Sequence, residues 1–362
     1  MKKRILLVSS SGLGKGGTQM VIMSIVRNLS KYYIFDIVVF EKKAGYFDLE
    51  FEKYGGKIIR YPLTGSNKVT KKIDYYSRVF FLYSFAKKVI KSEKYSVVHC
   101  HNNFEAGPFL QAAQTMGVPI RIVHTHVITG KCRFIYSLIR KKYKSQLDRY
   151  STKKLGCSRT ACETLFGEKG WEVIPNPIRN DFYKEDIVND ALNGIEILQV
   201  GNLSTLKNQC FTIEIVKELK KRNVPVFCRF VGADRDGYVN KMDDMIARSE
   251  LKDNVQLLPF DSDIPKLLEK SNAFLLPSRS EGFGIVLVEA QAMGVKCFAS
   301  SAVPEDANCG GVQYLKLEDG PVKWADVIET LYNNGDLKRK QYDTAAFKEE
   351  NVISVYKEIY SE

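Results

Sequence analysis

Short runs of apolar residues alternate with amphipathic helical patterns along the whole chain, and this alternation limits the possible folds more than any other feature. A strand covered on both faces is apolar throughout, whereas a strand with one exposed face alternates apolar and polar residues. The sequence therefore predicts an α/β fold, with parallel sheets between layers of helices. The predicted strands are 4–8, 34–40, 57–60, 95–99, 119–124, 153–157, 195–200, 225–231, 254–258, 273–277 and 295–299. The predicted helices include 17–30, 73–93, 104–117, 208–222 and 284–294.

The chain length and an internal similarity indicate two doubly wound domains. At about 150 residues per domain, 362 residues are enough for two. The segments RILLVSSSGLGKGGTQ and IEILQVGNLSTLKNQ each combine a strand, a polar loop with glycine and the start of a helix. We predict domains at 1–180 and 181–345, a linker at 173–194, and a C-terminal helix at 346–362 that could pack on either domain, including back on the N-terminal one. Ligands of such domains bind beyond the carboxyl ends of the strands, so we expect a cleft between two facing Rossmann-like domains.

The charge is divided unevenly between the two halves. Residues 1–180 contain 32 Lys and Arg but 12 Asp and Glu, a net charge of +20, and residues 181–362 carry −8 within the total of +12. The basic half is expected to face an anionic partner, which could be nucleic acid, a phosphorylated substrate or a membrane surface.

The sequence lacks the usual marks of membrane insertion and secretion. No apolar run approaches the ~18 residues of a spanning helix, and the apolar stretch after Lys2, Lys3 and Arg4 is too short for a signal peptide. The eight cysteines form no CxxC pair, which favours reduced thiols over a disulfide framework or a zinc ribbon. These features together predict a cytoplasmic protein.

A glycine-rich loop follows the first strand. Gly12, Gly14 and Gly17 form a GxGxxG pattern, and Glu41 after the second strand could hold a ribose, as in dinucleotide-binding proteins. Gly16 and Gly17 would equally place backbone N–H groups near any phosphorylated ligand at a helix start. A glycine turn that merely lets the helix pack is the structural alternative.

All four histidines lie in two HxH pairs, His99/His101 and His124/His126, each at the end of a predicted strand. Residues two apart on a strand point to the same side, so each pair shares a face of the sheet. A metal site is conceivable, but no cluster of Asp or Cys completes it, and we predict none. A polar or acid–base role is favoured, with structural histidines as the alternative.

The segment SRSEGFGIVLVEAQAMG carries the strongest functional pattern. Glu281 and Glu289 flank a glycine turn that leads into a helix, whose N-terminal N–H groups attract an anion. Lys207 follows an earlier strand of the same half and could neutralise a diphosphate. A cation, an anion-binding turn and two acceptors for hydroxyl groups together describe a site for a nucleoside diphosphate sugar. The alternative is a glycine turn with surface glutamates.

The chain resembles the retaining family 4 glycosyltransferases of GT-B fold over essentially its whole length. Within that family it is similar to the subgroup that builds bacterial capsule and exopolysaccharide repeat units. The segments that carry the resemblance are Gly16-Gly17-Thr18-Gln19, His124, Ile174-Pro175-Asn176-Pro177, Gly201 to Lys207-Asn208, Phe230-Val231-Gly232, and EGFGIVLVE from Glu281 to Glu289.

The resemblance implies a donor site in the second half of the chain. Lys207 would bind the diphosphate, Glu281 the donor sugar and Glu289 the ribose. The backbone amides of Phe283, Gly284 and Ile285 would lie near the sugar and the phosphate, and Gly282 would also belong to the donor site.

The resemblance also implies contacts from the first half, and the chain departs from the family at one position. Gly16 and Gly17 would approach the donor phosphate and the acceptor, and His124 would lie near the acceptor and the reacting sugar. Asn202 stands where the family usually has an arginine that shares the diphosphate with Lys207. Arg279 or another basic residue would replace that arginine, or the donor would be held more loosely.

The resemblance implies a retaining transfer of a sugar from a nucleotide sugar, with a UDP-sugar as the donor class, to a lipid-linked or growing glycan in capsular or exopolysaccharide synthesis. The developing negative charge of the diphosphate would be stabilised by Lys207 and the helix-start amides, so no metal or other cofactor is expected. The alternatives are a nucleotide-sugar epimerase or hydrolase of the same fold, and an NAD-dependent oxidoreductase, which leaves Lys207, Glu281 and Glu289 unexplained. Binding to nucleic acid is not expected, because no recognition helix or aromatic sheet motif is present.

Two predicted basic helices, 71–94 and 132–154, intersperse aromatic and aliphatic residues with Lys and Arg. Such helices can lie on an anionic membrane, at about 1 kcal/mol per basic residue near the surface. The alternative is that their apolar stripes pack on the sheet while the cations are merely solvated. Because a lipid-linked acceptor would make membrane binding useful, we predict peripheral association with the inner face of the plasma membrane.

Overall fold

A computed structural model describes residues 2–63, 68–127, 134–183, 193–234 and 237–362. The chain divides into two units, each with its own parallel sheet. Unit 1 comprises Met1–Pro177 together with Glu349–Glu362, and unit 2 comprises Ile178–Lys348. The predicted α/β fold with two parallel-sheet domains is confirmed. The C-terminal helix belongs to unit 1.

Unit 1 contains a seven-stranded sheet in the order β3-β2-β1-β4-β5-β6-β7. Its paired strands are all parallel. The strands are β1 (Lys3–Ser9), β2 (Tyr33–Val39), β3 (Ile58–Arg60), β4 (Tyr95–Cys100), β5 (Ile120–Thr125), β6 (Lys153–Gly156) and β7 (Glu172–Val173). The helices are α1 (Gly17–Leu29), α2 (Asp48–Lys53), α3 (Lys68–Lys91), α4 (Ala106–Thr115), α5 (Phe134–Tyr150) and α6 (Arg159–Phe166).

Unit 2 contains a six-stranded parallel sheet in the order β10-β9-β8-β11-β12-β13. The strands are β8 (Ile195–Val200), β9 (Val226–Val231), β10 (Val255–Leu258), β11 (Ala273–Leu276), β12 (Lys296–Ser300) and β13 (Val312–Leu315). The helices are α7 (Gln209–Lys221), α8 (Tyr238–Arg248), α9 (Ile264–Glu269), α10 (Ile285–Ala292) and α11 (Gly320–Asn333). The last helix of the chain, α12 (Glu349–Ser361), belongs to unit 1.

The first strand shows why its residues are apolar on both faces. Ile5 and Leu7 pack into a core shared with α1 and α12, whereas Leu6 and Val8 pack into a second core with α3 and α4. Successive side chains of a strand point to opposite faces, so both sets are removed from water. The two cores hold the sheet between its helical layers.

Helix α12 completes the first of these cores. Val352, Tyr356 and Tyr360 are buried in it, and the ring centroid of Tyr360 lies 5.7 Å from that of Tyr33. Ser24 Oγ of α1 also donates a hydrogen bond of 2.6 Å to Glu349 Oε1. The helix is therefore an integral part of unit 1, although unit 2 separates it from the rest of that unit in the sequence.

The structure contains two strands that the sequence did not predict, and both lie at sheet edges. Strand β7 has two exposed residues, and β13 is no better than half-buried along its length. Neither has the continuous apolar pattern used to identify strands. Strand β7 and a short 3₁₀ helix at Asn180–Phe182 lie in or at the edge of the predicted linker 173–194, of which residues 184–192 are outside the described part.

The two predicted basic helices are present with shifted ends. The prediction 71–94 corresponds to Lys68–Lys91, and the prediction 132–154 corresponds to Phe134–Tyr150. Residues 128–133 lie outside the described part. In the part of the chain that the structure describes, no helix is both long enough and apolar enough to cross a bilayer.

Candidate functional site

Lys207 and Glu281 form an ion pair beyond the carboxyl ends of β8 and β11. The Nζ atom of Lys207 contacts Oε1 of Glu281, and Ser278 Oγ donates a hydrogen bond of 2.7 Å to the same oxygen. The side chains are 24% and 10% exposed, so the pair lies at the surface of unit 2 with little contact with water. Both donors use Oε1, and neither uses the second carboxylate oxygen. The sequence predicted each residue for a donor site, and the structure brings them into contact.

The loop that carries Lys207 is held by buried polar side chains on its inner side. Gln199 at the end of β8 donates through Nε2 to the carbonyl of Lys207 at 2.8 Å, and Thr212 Oγ1 donates to Gln199 Oε1 at 2.7 Å. Asn208, with a left-handed φ of 59°, donates through Nδ2 to Pro277 O at 3.2 Å. These bonds fix the lysine backbone before any ligand arrives. Gln199 and Thr212 could not be identified from the sequence, because neither a glutamine in a strand nor a threonine in a helix carries a motif.

Gly284 shapes the turn that follows Glu281. Its φ of +89° lies in the left-handed region, and a Cβ atom there would approach Val303 Cγ1 to 3.0 Å. The turn leads into α10, whose first-turn N–H groups have no acceptor within the helix. Phe283 is buried and its ring lies 5.8 Å from that of Phe347, which anchors the turn. Gly282 and Ile285, on either side, are partly exposed.

Glu289 lies one turn into α10, and the structure adds a cation near it. Burial raises the pKa of Glu289 to about 7, an effect opposed by the nearby charge of Arg179 and reinforced by Asp181. Arg179 also forms an ion pair of 3.0 Å with Asp181. Arg179 could not be identified from the sequence, because it lies in the predicted linker and belongs to no motif.

Asn202 and Arg279 lie on the two loops that bear the ion pair. Asn202 is exposed, and its carbonyl accepts a hydrogen bond of 3.1 Å from Gln209 Nε2. The backbone N–H of Arg279 donates to Leu206 O at 2.8 Å, which ties its loop to that of Lys207. The Arg279 side chain is exposed.

In unit 1, Gly16 and Gly17 lie at the start of α1. Gly16 is the N-cap residue of α1, and its carbonyl accepts a hydrogen bond of 2.9 Å from the Met20 N–H. A Cβ atom at Gly16 would approach Gln19 Oε1 to 2.2 Å, whereas one at Gly14 or Gly17 would meet nothing within 4 Å. Because Gln19 Oε1 is the end of a flexible side chain that can move aside, protein packing does not by itself require glycine at Gly16, and nothing near Gly17 requires it there.

The four histidines form one buried cluster in unit 1. The rings of His99 and His101 are 4.0 Å apart, those of His124 and His126 are 4.1 Å apart, and those of His99 and His124 are stacked at 5.5 Å. The same-face prediction for each HxH pair agrees with these contacts. His99 and His124 are 0% exposed, so His124 offers no accessible face to an acceptor in this conformation. Burial lowers the pKa of all four rings, that of His126 to about 4.

The geometry of unit 2 thus combines a lysine–glutamate pair, a left-handed glycine turn at a helix N-terminus and a second carboxyl group on that helix. Such an arrangement can hold an anion at the lysine and the amides, and it can accept hydrogen bonds from hydroxyl groups at the carboxylates. These are the elements from which a diphosphate and its attached sugars can be bound.

Comparison with known proteins assigns the family of this unit. Residues 184–348 match the family model of the group 1 glycosyl transferases. The EpsF protein of Bacillus subtilis is 27% identical over 94% of this chain and 90% of its own length. The capsular polysaccharide biosynthesis glycosyltransferase CapH of Staphylococcus aureus is 27% identical over 97% and 96%.

A third relative and a solved structure extend the comparison. The UDP-Gal:alpha-D-GlcNAc-diphosphoundecaprenol alpha-1,3-galactosyltransferase of Escherichia coli is 27% identical over 59% of this chain and 60% of its own length. Anabaena HepE, crystallised with UDP and glucose, covers 99% of both chains at 17% identity with a TM-score of 0.75. The likeness to HepE establishes the fold. Together with the family match, these findings identify the chain as a glycosyltransferase of GT-B fold that carries a group 1 domain at residues 184–348.

Proposed function

We propose that this glycosyltransferase moves a sugar from a UDP-sugar to a lipid-linked or growing glycan in capsular or exopolysaccharide synthesis. The observation that carries the proposal is the Lys207–Glu281 pair beside the Gly284 turn. The pair places a cation that can bind the diphosphate next to a carboxylate that can accept hydrogen bonds from sugar hydroxyls. The UDP complex of HepE supports the nucleotide, CapH supports the capsular context, and the E. coli galactosyltransferase supports an acceptor linked to a lipid diphosphate.

In this proposal, Lys207 and the amides of Phe283, Gly284 and Ile285 bind the diphosphate. Breaking the anomeric C–O bond leaves positive charge on the sugar and adds negative charge to the departing phosphate. Groups that are already oriented toward that phosphate stabilise the transition state more than the ground state. The buried bonds of Gln199 and Asn208 keep the lysine loop in place, so little reorganisation is needed when the charge develops.

The carboxylates divide the sugar recognition between them. Glu281, held at Oε1 by Lys207 and Ser278, has Oε2 available for a hydroxyl of the donor sugar. Glu289 would accept hydrogen bonds from the ribose hydroxyls, with Arg179 and Arg279 as the cations that stand in for an arginine at Asn202. We propose retention of the anomeric configuration, in which the leaving phosphate takes the proton of the acceptor hydroxyl.

The donor site is proposed to work without a divalent cation, since Lys207 and the helix-start amides supply positive charge at the diphosphate. Transfer should then proceed at the same rate whether or not Mg²⁺ or Mn²⁺ is added. A rate that depends on either ion would contradict this part of the proposal.

Membrane association is proposed for the surface of unit 1 formed by α3 and α5, which both pack against α4. Phe80, Phe81 and Leu138 on these helices are 76%, 63% and 56% exposed. Lys141 and Lys142 are exposed on α5, whereas Leu147 of the predicted apolar stripe is buried in the core. Exposed apolar residues and cations on these helices suit the interface of an anionic bilayer, where the lipid of the acceptor would be anchored.

The function is tested by ligand-dependent melting followed by a transfer assay. UDP should raise the Tm of the full chain, whereas NAD and oligonucleotides should leave it unchanged. A panel of nucleotide sugars is then offered with a glycan linked to undecaprenyl diphosphate, and the product is identified by mass. Stabilisation by NAD alone would contradict the proposal. Release of free sugar or of an epimerised nucleotide sugar, with no transfer to any acceptor, would favour a hydrolase or an epimerase.

A further inference from the structure

We propose that His99, His101 and His124 form a zinc-binding site in unit 1, separate from the donor-binding residues of unit 2. The three histidines lie at the adjacent ends of β4 and β5 and are 0%, 3% and 0% exposed. One ring nitrogen of each lies within 4.8 Å of a ring nitrogen of each of the other two. A set of three imidazoles is a common ligand set for zinc.

The hydrogen bonds of the cluster leave the same nitrogen available on each ring. His99 Nδ1 pairs with the hydroxyl of Tyr360 at 2.7 Å, and His124 Nδ1 pairs with that of Tyr356 at 3.4 Å. His101 Nδ1 pairs with His126 Nε2 at 2.9 Å. The Nε2 atoms of all three rings are buried and have no hydrogen-bond partner among the described residues.

This pattern matches what a metal requires of its histidine ligands. A ligating histidine normally donates its other ring N–H to a neighbouring group, which fixes the tautomer and the orientation of the ring. When each Nδ1 donates its proton to its partner, each Nε2 keeps a lone pair that can bind a metal ion. Buried polar atoms are generally hydrogen-bonded, so three unpartnered ring nitrogens in one buried cluster point to a ligand that the described residues do not supply.

Binding would draw the three rings together. Nitrogens that share a zinc ion at about 2.0–2.1 Å lie about 3.3 Å from one another in a tetrahedral site. Separations of up to 4.8 Å would therefore close by up to about 1.5 Å when the ion binds. The sequence prediction of no metal rested on the lack of a cluster of Asp or Cys that would complete a site with the HxH pairs. The structure instead completes the set by bringing the two pairs together across neighbouring strands.

The ion would link β4 to β5, and through Tyr356 and Tyr360 it would also orient α12. Imidazole ligands without a thiolate suit Zn²⁺, Co²⁺ and Ni²⁺, whereas Mg²⁺ and Ca²⁺ prefer oxygen. The site therefore binds a transition-metal ion and leaves one coordination position for a water molecule.

The test uses the full chain, stripped with a chelator and titrated with ZnSO₄. We expect one zinc per chain and, at a concentration 100-fold above the Kd, a rise in Tm of about 5–10 °C. X-ray absorption at the zinc edge should show a shell of nitrogen and oxygen at about 2.0 Å without sulfur. A sulfur shell, or no binding above one tenth of an equivalent, would overturn the proposal, and neither measurement depends on a variant that folds poorly.

Variants locate the ion. His101→Gln should abolish stoichiometric binding, while His126→Gln, which removes only the partner of a ligand, should weaken affinity about 10–100-fold. Cys309→Ser, a control that removes a partly exposed thiol from unit 2, should bind zinc as the unaltered chain does. Unchanged binding by His101→Gln would place the ion elsewhere and overturn the assignment. Because UDP binding is measured separately, failure here leaves the proposed transfer reaction unaffected.

Discussion

Glu281 Oε1 accepts from both Lys207 Nζ and Ser278 Oγ, so the lysine expected to bind a diphosphate is already paired with the carboxylate expected to bind a sugar. A neutralised lysine with a fixed position costs less to bury than a lone cation, and it still has N–H groups to offer a phosphate. The pair therefore acts as a single unit, and its two members should respond differently to substitution.

Lys207→Gln should weaken UDP binding at least tenfold and lower kcat/KM for transfer by about 10²–10³, because a preorganised cation at the leaving group is lost. Glu281→Gln should lower transfer but leave UDP affinity unchanged or tighter, since the lysine then faces the diphosphate alone. Isothermal titration with UDP and a transfer assay measure the two effects. Lys221→Gln is the matched control, because Lys221 pairs with Glu218 on an exposed part of α7. Equal loss of UDP binding in both glutamine variants of the pair would refute this division of roles.

Gly284→Ala should destabilise unit 2 by about 2–3 kcal/mol and reduce transfer strongly. The new methyl group meets both an unfavourable φ of +89° and the Val303 side chain at 3.0 Å, so the turn must move. Gly237→Ala provides the control, because Gly237 is also an N-cap residue, with φ of +71°, but has only Asn240 Nδ2 at 3.8 Å. We expect Gly237→Ala to lower the free energy of unfolding by about 1–2 kcal/mol, measured by chemical denaturation, and to keep full transfer activity. An active Gly284→Ala protein would show that the turn does not bind the donor.

Glu289 should make both stability and UDP binding depend on pH. Its pKa rises from 4.5 to about 7 on folding, so the folded chain binds a proton more tightly than the unfolded chain. Stability from this group is therefore present below pH 4.5 and lost as the pH rises to 7. Glu289→Gln should be more stable than the unaltered chain by about 2 kcal/mol at pH 8, after allowance for partial exposure, and nearly equal at pH 4.5.

The same residue should give UDP binding the opposite trend. Ribose hydroxyls donate to the ionised carboxylate, so UDP affinity should increase between pH 6 and pH 8. The Glu289→Gln variant should bind weakly at both values with no such increase. A parallel rise in both proteins would mean that another group is responsible.

Tyr360→Phe should destabilise unit 1 more than Tyr356→Phe. The first removes a 2.7 Å hydrogen bond and leaves His99 Nδ1 buried without a partner, whereas the second removes a contact of 3.4 Å. In urea denaturation, we expect Tyr360→Phe to lower the free energy of unfolding by about 1–3 kcal/mol and Tyr356→Phe to lower it by less than about 1 kcal/mol. Both changes remove a tyrosine hydroxyl from α12, so the difference between their free energies of unfolding reports on the Tyr360–His99 hydrogen bond. Equal losses would show that the bond to His99 contributes nothing specific.

Substitution of the surface formed by α3 and α5 should abolish binding to anionic vesicles. The combined variant Phe80→Ser/Phe81→Ser, and separately Lys141→Glu/Lys142→Glu, should reduce co-sedimentation at low salt at least tenfold. Leu49→Ser is the control for the first, since Leu49 on α2 is 76% exposed, as is Phe80. Lys217→Glu/Lys221→Glu on α7 is the control for the second. Binding that survives both test variants would exclude this surface.

Most of the fold was predictable because its central strands are continuous in apolar residues. The edge strands β7 and β13 were not, since edge residues are exposed and carry no such pattern. The partner of α12 could not be deduced either, because a helix with one apolar face gives no indication of which domain covers that face.

The site was predictable where its parts lie close together in sequence. The spacing from Glu281 through Gly284 to Glu289 indicated a turn, a helix start and two carboxylates from local pattern alone. The contact between Lys207 and Glu281, 74 residues apart, depends on the order of strands β8 and β11. The meeting of the two HxH pairs likewise depends on β4 lying beside β5, and the role of Arg179 depends on a 3₁₀ helix that has no sequence signature.

The position of α12 has a consequence for how the protein is made. Unit 2 is one continuous segment, so all of it can fold as soon as Lys348 has left the ribosome. By then the residues of unit 1 up to Pro177 have long been synthesised, but the side of the unit 1 core that α12 covers is still open to water. Unit 1 is thus the first unit to be synthesised and the last to complete its folding. Until α12 is added, unit 1 exposes an apolar surface to which chaperones can bind.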